Sequence, residues 1–281
     1  MNVGALVPVR LGSERLPAKA LKEICGKPAI VHLLERLFAT RALTPDRVVV
    51  CTTRDAGDDP LVGVVEGTGA QLYRGSTDDL VDRFHGAVET FEFDAVIEVD
   101  GDDICAEPSY MDRCLDRLLA DDGLGVVLTK GLPIGLGSQA WRRSAVDRVW
   151  EAYIPGPNAT GASLYFTAGD LCRRAFVEPV SERHVHSRAW LTLDRPEDLR
   201  FFEALFAELY SEGRVFGIEE IVDLLERRPE LLELNGQPFS PEYEARSLAL
   251  IAEERPRYRG ADGQIREIEV PGWVVESMRT G

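Results

Sequence analysis

The sequence predicts an α/β fold, a mostly parallel sheet with helices on both faces. Three observations predict it. Short apolar runs alternate with segments of helical period over the first two-thirds of the chain, the β-α-β-α order that builds parallel sheets. Runs such as Arg47–Thr52 (RVVVCT) read as buried strands, covered on both faces. The chain has 281 residues, 44% of them hydrophobic and 28% charged, enough for one large core.

Each element has a local reason. Val3–Val9 reads as the first strand. Pro28–Leu37 reads as a helix, because Ile30, Leu33, Leu34 and Leu37 share one face and Pro28 suits a first turn. Asp59–Gly67 reads as a helix and Ala70–Tyr73 as a short strand. In Asp79–Thr90, Leu80, Phe84 and Val88 stack at helical spacing, and Ser76 with Asp79 matches a capping pattern just ahead of it. Ala95–Val99 is a strand, Tyr110–Ala120 a helix and Leu124–Thr129 a strand. Beyond residue 130, Ser144–Tyr153 reads as a helix and Ile154–Gly161, rich in Pro, Gly and Asn, as a loop. Ala189–Leu193 follows as a strand, then helices Glu197–Tyr210, Gly217–Arg227 and Pro241–Glu254. Residues 1–235 are expected to form the main domain, and 236–281 an extension packed on it.

Lys and Arg number 32 against 48 Asp and Glu, for a net charge of −16. This argues against phosphate-backbone binding to DNA or RNA and against docking on an anionic membrane. It leaves room for an anionic small molecule held by local cations or a metal. No apolar run is long enough to span a membrane, and the N-terminus resembles a strand more than a signal peptide, so a cytoplasmic location is expected. The five cysteines have no CxxC spacing and read as reduced, mostly buried thiols.

Chemistry concentrates in three places. After the first strand, Pro8–Lys19 (PVRLGSERLPAK) gathers Arg10, Arg15 and Lys19 around Gly12 and Ser13. A turn with exposed N–H groups and cations, at the C-terminal end of a parallel strand, is a phosphate cradle; it lacks the Walker pattern. Glu98-Val99-Asp100-Gly101-Asp102-Asp103 puts carboxylates at another strand end, an all-oxygen donor set suited to Mg²⁺. Asp194 stands before Arg195-Pro196-Glu197, where it either caps a helix or faces the cleft. Gly135–Ala140 matches G-x-G-x-x-A but follows a loop, so it carries no dinucleotide reading. His184 and His186 would share a face if their segment were a strand.

P-x-R-x-x-S-x-R-L-P-x-K resembles the N-terminal signature of the CMP-sugar synthetases, the cytidylyltransferases that activate ketodeoxyoctonate, N-acylneuraminate and related acids. Gly26-Lys27-Pro28-Ala29-Ile30, Asp58-Asp59-Pro60-Leu61, Arg74–Arg83 (RGSTDDLVDR) and Leu191–Leu199 (LTLDRPEDL) resemble further segments of that group, the last three its spore-coat polysaccharide branch. The resemblance spans about residues 1–235. It implies a nucleotidyltransferase, glycosyltransferase-A-like fold and transfer of CMP from CTP to an anionic acceptor (sugar acid, phosphonate or phosphate ester) with release of pyrophosphate.

The resemblance also implies roles. Mg²⁺, or Mn²⁺, would sit on Asp102 and Asp194, and Arg10 and Lys19 would act with them in catalysis. Nucleotide contacts would come from Pro8, Arg10, Gly12, Ser13, Arg15 and Lys19, with Arg74, Ser76 and Asp100. On the acceptor side the group has P-x-G-x-D-x-E-x-F; this chain keeps Pro133 and Gly135 but has Gly137 and Gln139 at the acidic positions. Gln139 and the cations Arg142, Arg143, His184, His186 and Arg188 are the acceptor candidates, and a homodimer is the expected assembly. Two rivals stand beside this reading. Asp100-Gly101-Asp102 matches the D-x-D of nucleotide-sugar-dependent glycosyltransferases of the same fold, although glycosyl transfer needs no triphosphate grip. A non-catalytic nucleotide-binding protein would be marked by loss of Lys19, Asp102 or Asp194, and none is lost.

Overall fold

The sheet is built outward from β1 (Val3–Pro8), buried from Val3 to Val7. The computed structural model describes residues 1–158, 161–185, 189–235, 241–272 and 274–275. A small ribbon, β2 (Glu23–Ile24) and β3 (Lys27–Pro28), turns at Cys25 and Gly26, both with positive φ. Then come α1 (Ala29–Phe38), β4 (Val48–Thr53), α2 (Asp59–Glu66), β5 (Gln71–Gly75), α3 (Leu80–Thr90) and β6 (Ala95–Glu98). The second half holds α4 (Pro108–Leu119), β7 (Val126–Thr129), β8 (Gln139–Arg142), α5 (Arg143–Ala152), α6 (Ala162–Thr167) and β9 (Arg174–Val177). Last are α7 (Pro196–Leu209), α8 (Ile218–Arg227), α9 (Pro241–Glu254) and the hairpin β10 (Arg257–Arg259) with β11 (Ile265–Glu267).

Seven strands form one sheet in the order β5-β4-β1-β6-β8-β7-β9. All are parallel except β8, which runs against both its neighbours. Ile30, Leu33 and Leu37 of α1, Leu61 of α2 and Met111 of α4 pack on one face. Phe84 and Val88 of α3, Val146 of α5 and Phe166 of α6 cover the other, with Trp141 of β8 stacked on Phe166 at 4.0 Å. A third cluster joins α7 and α8 to Tyr110 and Ile24. Cys51, Cys105, Cys114 and Cys172 are buried, and Cys25 is exposed at its turn.

Ala189–Leu193 is not a strand. Trp190 makes an isolated bridge with Ile134 outside the named strands, Leu191 N–H donates to Ile134 O, and Leu193 N–H donates to Asp102 O. The segment therefore runs across the strand ends rather than joining the sheet. Gly135 lets it approach: φ is +88° there, and a Cβ would lie 2.0 Å from Leu191 O. The sheet's extra members, β8 and β9, are four-residue strands ending in or containing arginine, too short and polar to stand out by pattern.

The C-terminal region is bound to the α5–α6 side. Tyr258 Oη donates to Asp170 at 2.6 Å, Ile154 N–H to Arg257 O at 2.8 Å, and Gly161 N–H to Glu254 Oε2 at 2.6 Å. Ile251, Tyr258 and Ile268 are buried in the core beneath α3, α5 and α6, and Val270 and Val274 pack against it. Among the described residues, no helix is long and apolar enough to cross a membrane.

Candidate active site

The loop after β1 lies at the C-terminal ends of β1 and β4, where open α/β sheets place their ligands. It is closed by Ala18 N–H donating to Leu11 O at 3.0 Å. Ala18 takes a left-handed conformation, φ 53°, directly before the short 3₁₀ turn Lys19–Leu21. A non-glycine residue held there costs energy that the surroundings must offset, a pattern common at functional loops. Leu11 N–H donates to Asp58 Oδ1 at 2.7 Å, tying the loop to the start of α2. Gly12 faces open space, and Arg10 is exposed.

The chain after β6 approaches this loop closely. Gly101 N–H donates to Pro8 O at 3.3 Å, and a Cβ at Gly101 would sit 2.5 Å from Val9 Cγ2. Only glycine fits, and its neighbours Asp100 and Asp102 are thereby brought beside the cradle. Lys19 Nζ bonds to Asp102 Oδ2 and lies 3.0 Å from Asp194 Oδ1, which also accepts from Arg15 Nη2 at 2.6 Å. Burial would lower the Lys19 pKa, but the two carboxylates outweigh it and hold the ammonium well above its ordinary value.

Asp194 does not cap α7. Asp198 does, accepting the N–H groups of Asp194 at 3.0 Å and Arg195 at 2.8 Å through Oδ2. The Asp194 carboxylate is left to face the cradle. Asp194 and Asp102 both contact one ammonium, so they converge on a single cation position with oxygen donors only, a donor set that fits Mg²⁺. Among the described residues the cleft carboxylates form no closed three-ligand cage. Phosphate oxygens would complete the shell, as is usual for that ion.

The surrounding acids are electrostatically stressed. Enclosure in the cleft and the adjacent Asp102 charge raise Asp100 above the usual aspartate range. Burial first, then Asp102 and Asp100, raises Asp103. Glu98 is raised by burial and then by the Asp100, Asp103 and Asp102 charges.

Several expected contacts are differently engaged. The Arg74 guanidinium donates to Thr53 O, Asp55 O and Asp59, so it braces the loop between β4 and α2 instead of standing open to a base. Ser76 Oγ accepts Asp79 N–H at 3.1 Å, and Asp79 is the N-cap of α3. Arg142 and Arg143 do not face the cleft. β8 is antiparallel, so Gln139 pairs with Glu98 at the site end while Arg142 pairs with Ala95 at the far end, about 10 Å away at the usual strand rise. Arg142 donates to Leu118 O and Leu124 O, and Arg143 pairs with Glu89.

His184 ends a 3₁₀ turn, not a strand, and is buried between Tyr110 Oη at 2.8 Å and Glu219 Oε1 at 2.6 Å. His186 and Arg188 lie outside the described residues. Of the described acceptor candidates, only Gln139 borders the cleft.

Residues without an assigned role from sequence prove to shape the site. Asp58 anchors the cradle, and Arg83 holds the loop before α3 through Ser76 O and Thr77 O. Asp198 frees Asp194. Its signal was available: an acid three residues into a helix after a strand end is half of a capping box. Glu98 counts among the acids at that strand end, but nothing local marks its carboxyl as buried.

Comparison with known proteins fits this geometry. A family model described as cytidylyltransferase matches residues 4–175. The 3-deoxy-manno-octulosonate cytidylyltransferase of Yersinia pseudotuberculosis is 32% identical over 173 residues, 59% of this chain and 62% of that enzyme, so the match spans less than two-thirds of its length. An uncharacterised protein of Methanocaldococcus jannaschii is 25% identical over 246 residues, covering 86% of this chain and 98% of its own. Among solved structures, a cytidylyltransferase from Leptospira borgpetersenii serovar Hardjo-bovis superposes with TM-score 0.73 at 22% identity, covering 83% of this chain and 97% of that one. A CMP-2-keto-3-deoxy-manno-octonic acid synthetase in complex with CTP superposes with TM-score 0.58 at 19% identity, covering 75% of this chain and 100% of that one. These two likenesses establish the shared fold.

Proposed function

Because the chain belongs to the cytidylyltransferase family, we propose that it transfers CMP from CTP to a sugar acid, with Mg²⁺ held by Asp102 and Asp194 and pyrophosphate released. The observation that carries this reading is the single cation position between those two carboxylates, filled by Lys19 of the cradle. A triphosphate grip beside a pair of metal carboxylates is what nucleotidyl transfer needs and glycosyl transfer does not.

Arg10, Arg15 and Lys19 bind the phosphates. The ammonium of Lys19 and the guanidinium of Arg15 turn from the aspartates to phosphate oxygens as the nucleotide enters, and the aspartates are then open to the metal. When bound, Mg²⁺ neutralises phosphate charge and polarises the phosphoryl oxygens. An acceptor hydroxyl oxygen attacks the α-phosphorus in line and gives up its proton to water, a new P–O bond forms, and the bond to the pyrophosphate oxygen breaks. No covalent enzyme intermediate is needed. Catalysis is positioning plus charge neutralisation. Arg74, Ser76 and Arg83 shape the nucleotide side by holding the loops around it.

Pyrophosphate release measured with CTP, UTP, ATP and GTP against sugar acids, sugar phosphates and phosphonates tests the reading. Release from CTP with a sugar acid is expected. Release with none of the acceptors, or transfer from a nucleotide sugar instead, overturns it.

A further inference from the structure

The cleft continues past the aspartates. Beyond Asp100 and Asp103 it opens into a cavity of about 240 Å³ between the site end of the sheet and α6. Its floor is Glu98, the last residue of β6, with its cross-strand neighbour Gln139. Ser163 and Thr167 of α6 form the roof, and Val274 of the C-terminal segment closes one side.

Two features give the cavity a chemistry. Glu98 is 5% exposed, and among the described residues no hydrogen bond or ion pair reaches its carboxyl. Its oxygens are not shut off from solvent, so the carboxyl is open to the cavity and can bond to what enters it. Among the described residues the lining contains no Lys, Arg or His. Its polar groups are carboxyls, hydroxyls and one amide, which match sugar hydroxyls and not an ionised acid. The acid group of an acceptor therefore belongs outside this cavity.

The closing wall comes from outside the segment that the family model matches. The family match ends at residue 175, whereas Val274 is placed by the docked C-terminal region through Tyr258, Ile268 and Val270. We infer that this cavity takes the hydroxylated body of the acceptor sugar, that Glu98 hydrogen-bonds one of its hydroxyls, and that the C-terminal segment at Val274 sets how large an acceptor fits. The inference rests on the cytidylyltransferase reading and gives that reaction a specificity element.

The test uses the full chain, Val274→Trp, Glu98→Leu, Glu98→Gln and a chain ending at Val270. Each is assayed for pyrophosphate release with CTP and either 3-deoxy-manno-octulosonate or the bulkier N-acetylneuraminate. Val274→Trp should raise the acceptor KM about tenfold or more, and the shortened chain should lose about tenfold of its preference between the two acids. Glu98→Leu should raise the acceptor KM about tenfold, with partial rescue in Glu98→Gln, and all variants should keep the CTP KM. Unchanged acceptor KM and unchanged preference across the variants overturn the inference while leaving the cytidylyltransferase reading intact.

If the full chain turns over neither acid, that reading fails for sugar acids, and saturation-transfer NMR with the same two acids still decides about the cavity. Binding to the full chain that Val274→Trp abolishes supports it. Equal binding by both proteins, or binding by neither, overturns it.

Discussion

Asp58 Oδ1 accepts the backbone N–H of Leu11 at 2.7 Å, joining two loops 47 residues apart. The other oxygen accepts from Thr52 Oγ1 at 3.0 Å and from Thr53. One buried carboxylate thus fixes the position of the phosphate cradle relative to β4.

Removing that carboxylate should loosen both the fold and the nucleotide grip. Asp58→Ala is expected to cost about 1–3 kcal/mol in urea denaturation, because buried donors lose their acceptor, and to raise the CTP KM. Burial would raise the Asp58 pKa, but hydrogen bonds from Thr53, Leu11 and Thr52 lower it below the usual range. A depressed folded-state value gives stability that is present above the ordinary aspartate pKa, near 4, and lost as pH falls through the folded value. The stability gap between the native chain and Asp58→Asn should therefore narrow below about pH 4; a gap that widens on acidification contradicts the assignment.

Asp102→Asn and Asp194→Asn should each reduce turnover by about 10²–10³ with the fold retained, as loss of a charge-stabilising group at a phosphoryl site does. Steady-state rates together with far-UV circular dichroism check this. Near-native turnover in either variant would remove that residue from the metal pair.

Lys19→Ala has a double signature. It should lower kcat and raise the CTP KM, because the ammonium grips phosphate. It should also leave Asp102 and Asp194 facing each other without a counter-ion when no nucleotide is bound. Mg²⁺ alone should then raise the Tm of Lys19→Ala more than that of the native chain, and equal shifts would count against convergence of the two carboxylates.

Nucleotide choice is checked by thermal stabilisation with Mg²⁺ present. CTP is expected to raise Tm above UTP, ATP and GTP at equal concentration. Equal shifts from all four would detach the chain from cytidine.

Arg142→Ala separates structure from acceptor binding. Its guanidinium holds Leu118 O and Leu124 O behind the sheet, so the change should lower stability by about 1–3 kcal/mol and leave the acceptor KM unchanged.

Much of this molecule was legible because local pattern and tertiary role agree. The apolar runs at Val3, Val48 and Ala95 became the central strands, the cradle and Asp102 stood out by residue type at strand ends, and Asp194 stood out only through the motif that contains it. What was hidden depended on direction and long-range pairing. Nothing local in Gln139-Ala140-Trp141-Arg142 says that the strand runs backwards, so Arg142 and Arg143 seemed near the cleft when their register puts them at its opposite end. His184 seemed available because its partners, Tyr110 and Glu219, are 74 and 35 residues away. Arg74 matched its motif, yet its bonds to Thr53 and Asp55 follow from the fold of the preceding loop.

The reversed strand β8 has a broader consequence. β7 leaves the sheet at the cleft and β8 re-enters it there, so the connection between them, residues 130–138, is a loop tip hung over the reaction centre. The connection is held down along its length: Leu136 O accepts Glu107 N–H at 3.0 Å, Ile134 O accepts Leu191 N–H at 2.9 Å, and Leu132 and Leu136 are buried. The other side of the cleft is made of β1, β4 and β5 connections locked together by Asp58 and Arg74. The two sides of the cleft are therefore tied down separately: Asp58 and Arg74 hold the β1, β4 and β5 side, and the 130–138 connection holds the segment that ends at Asp194.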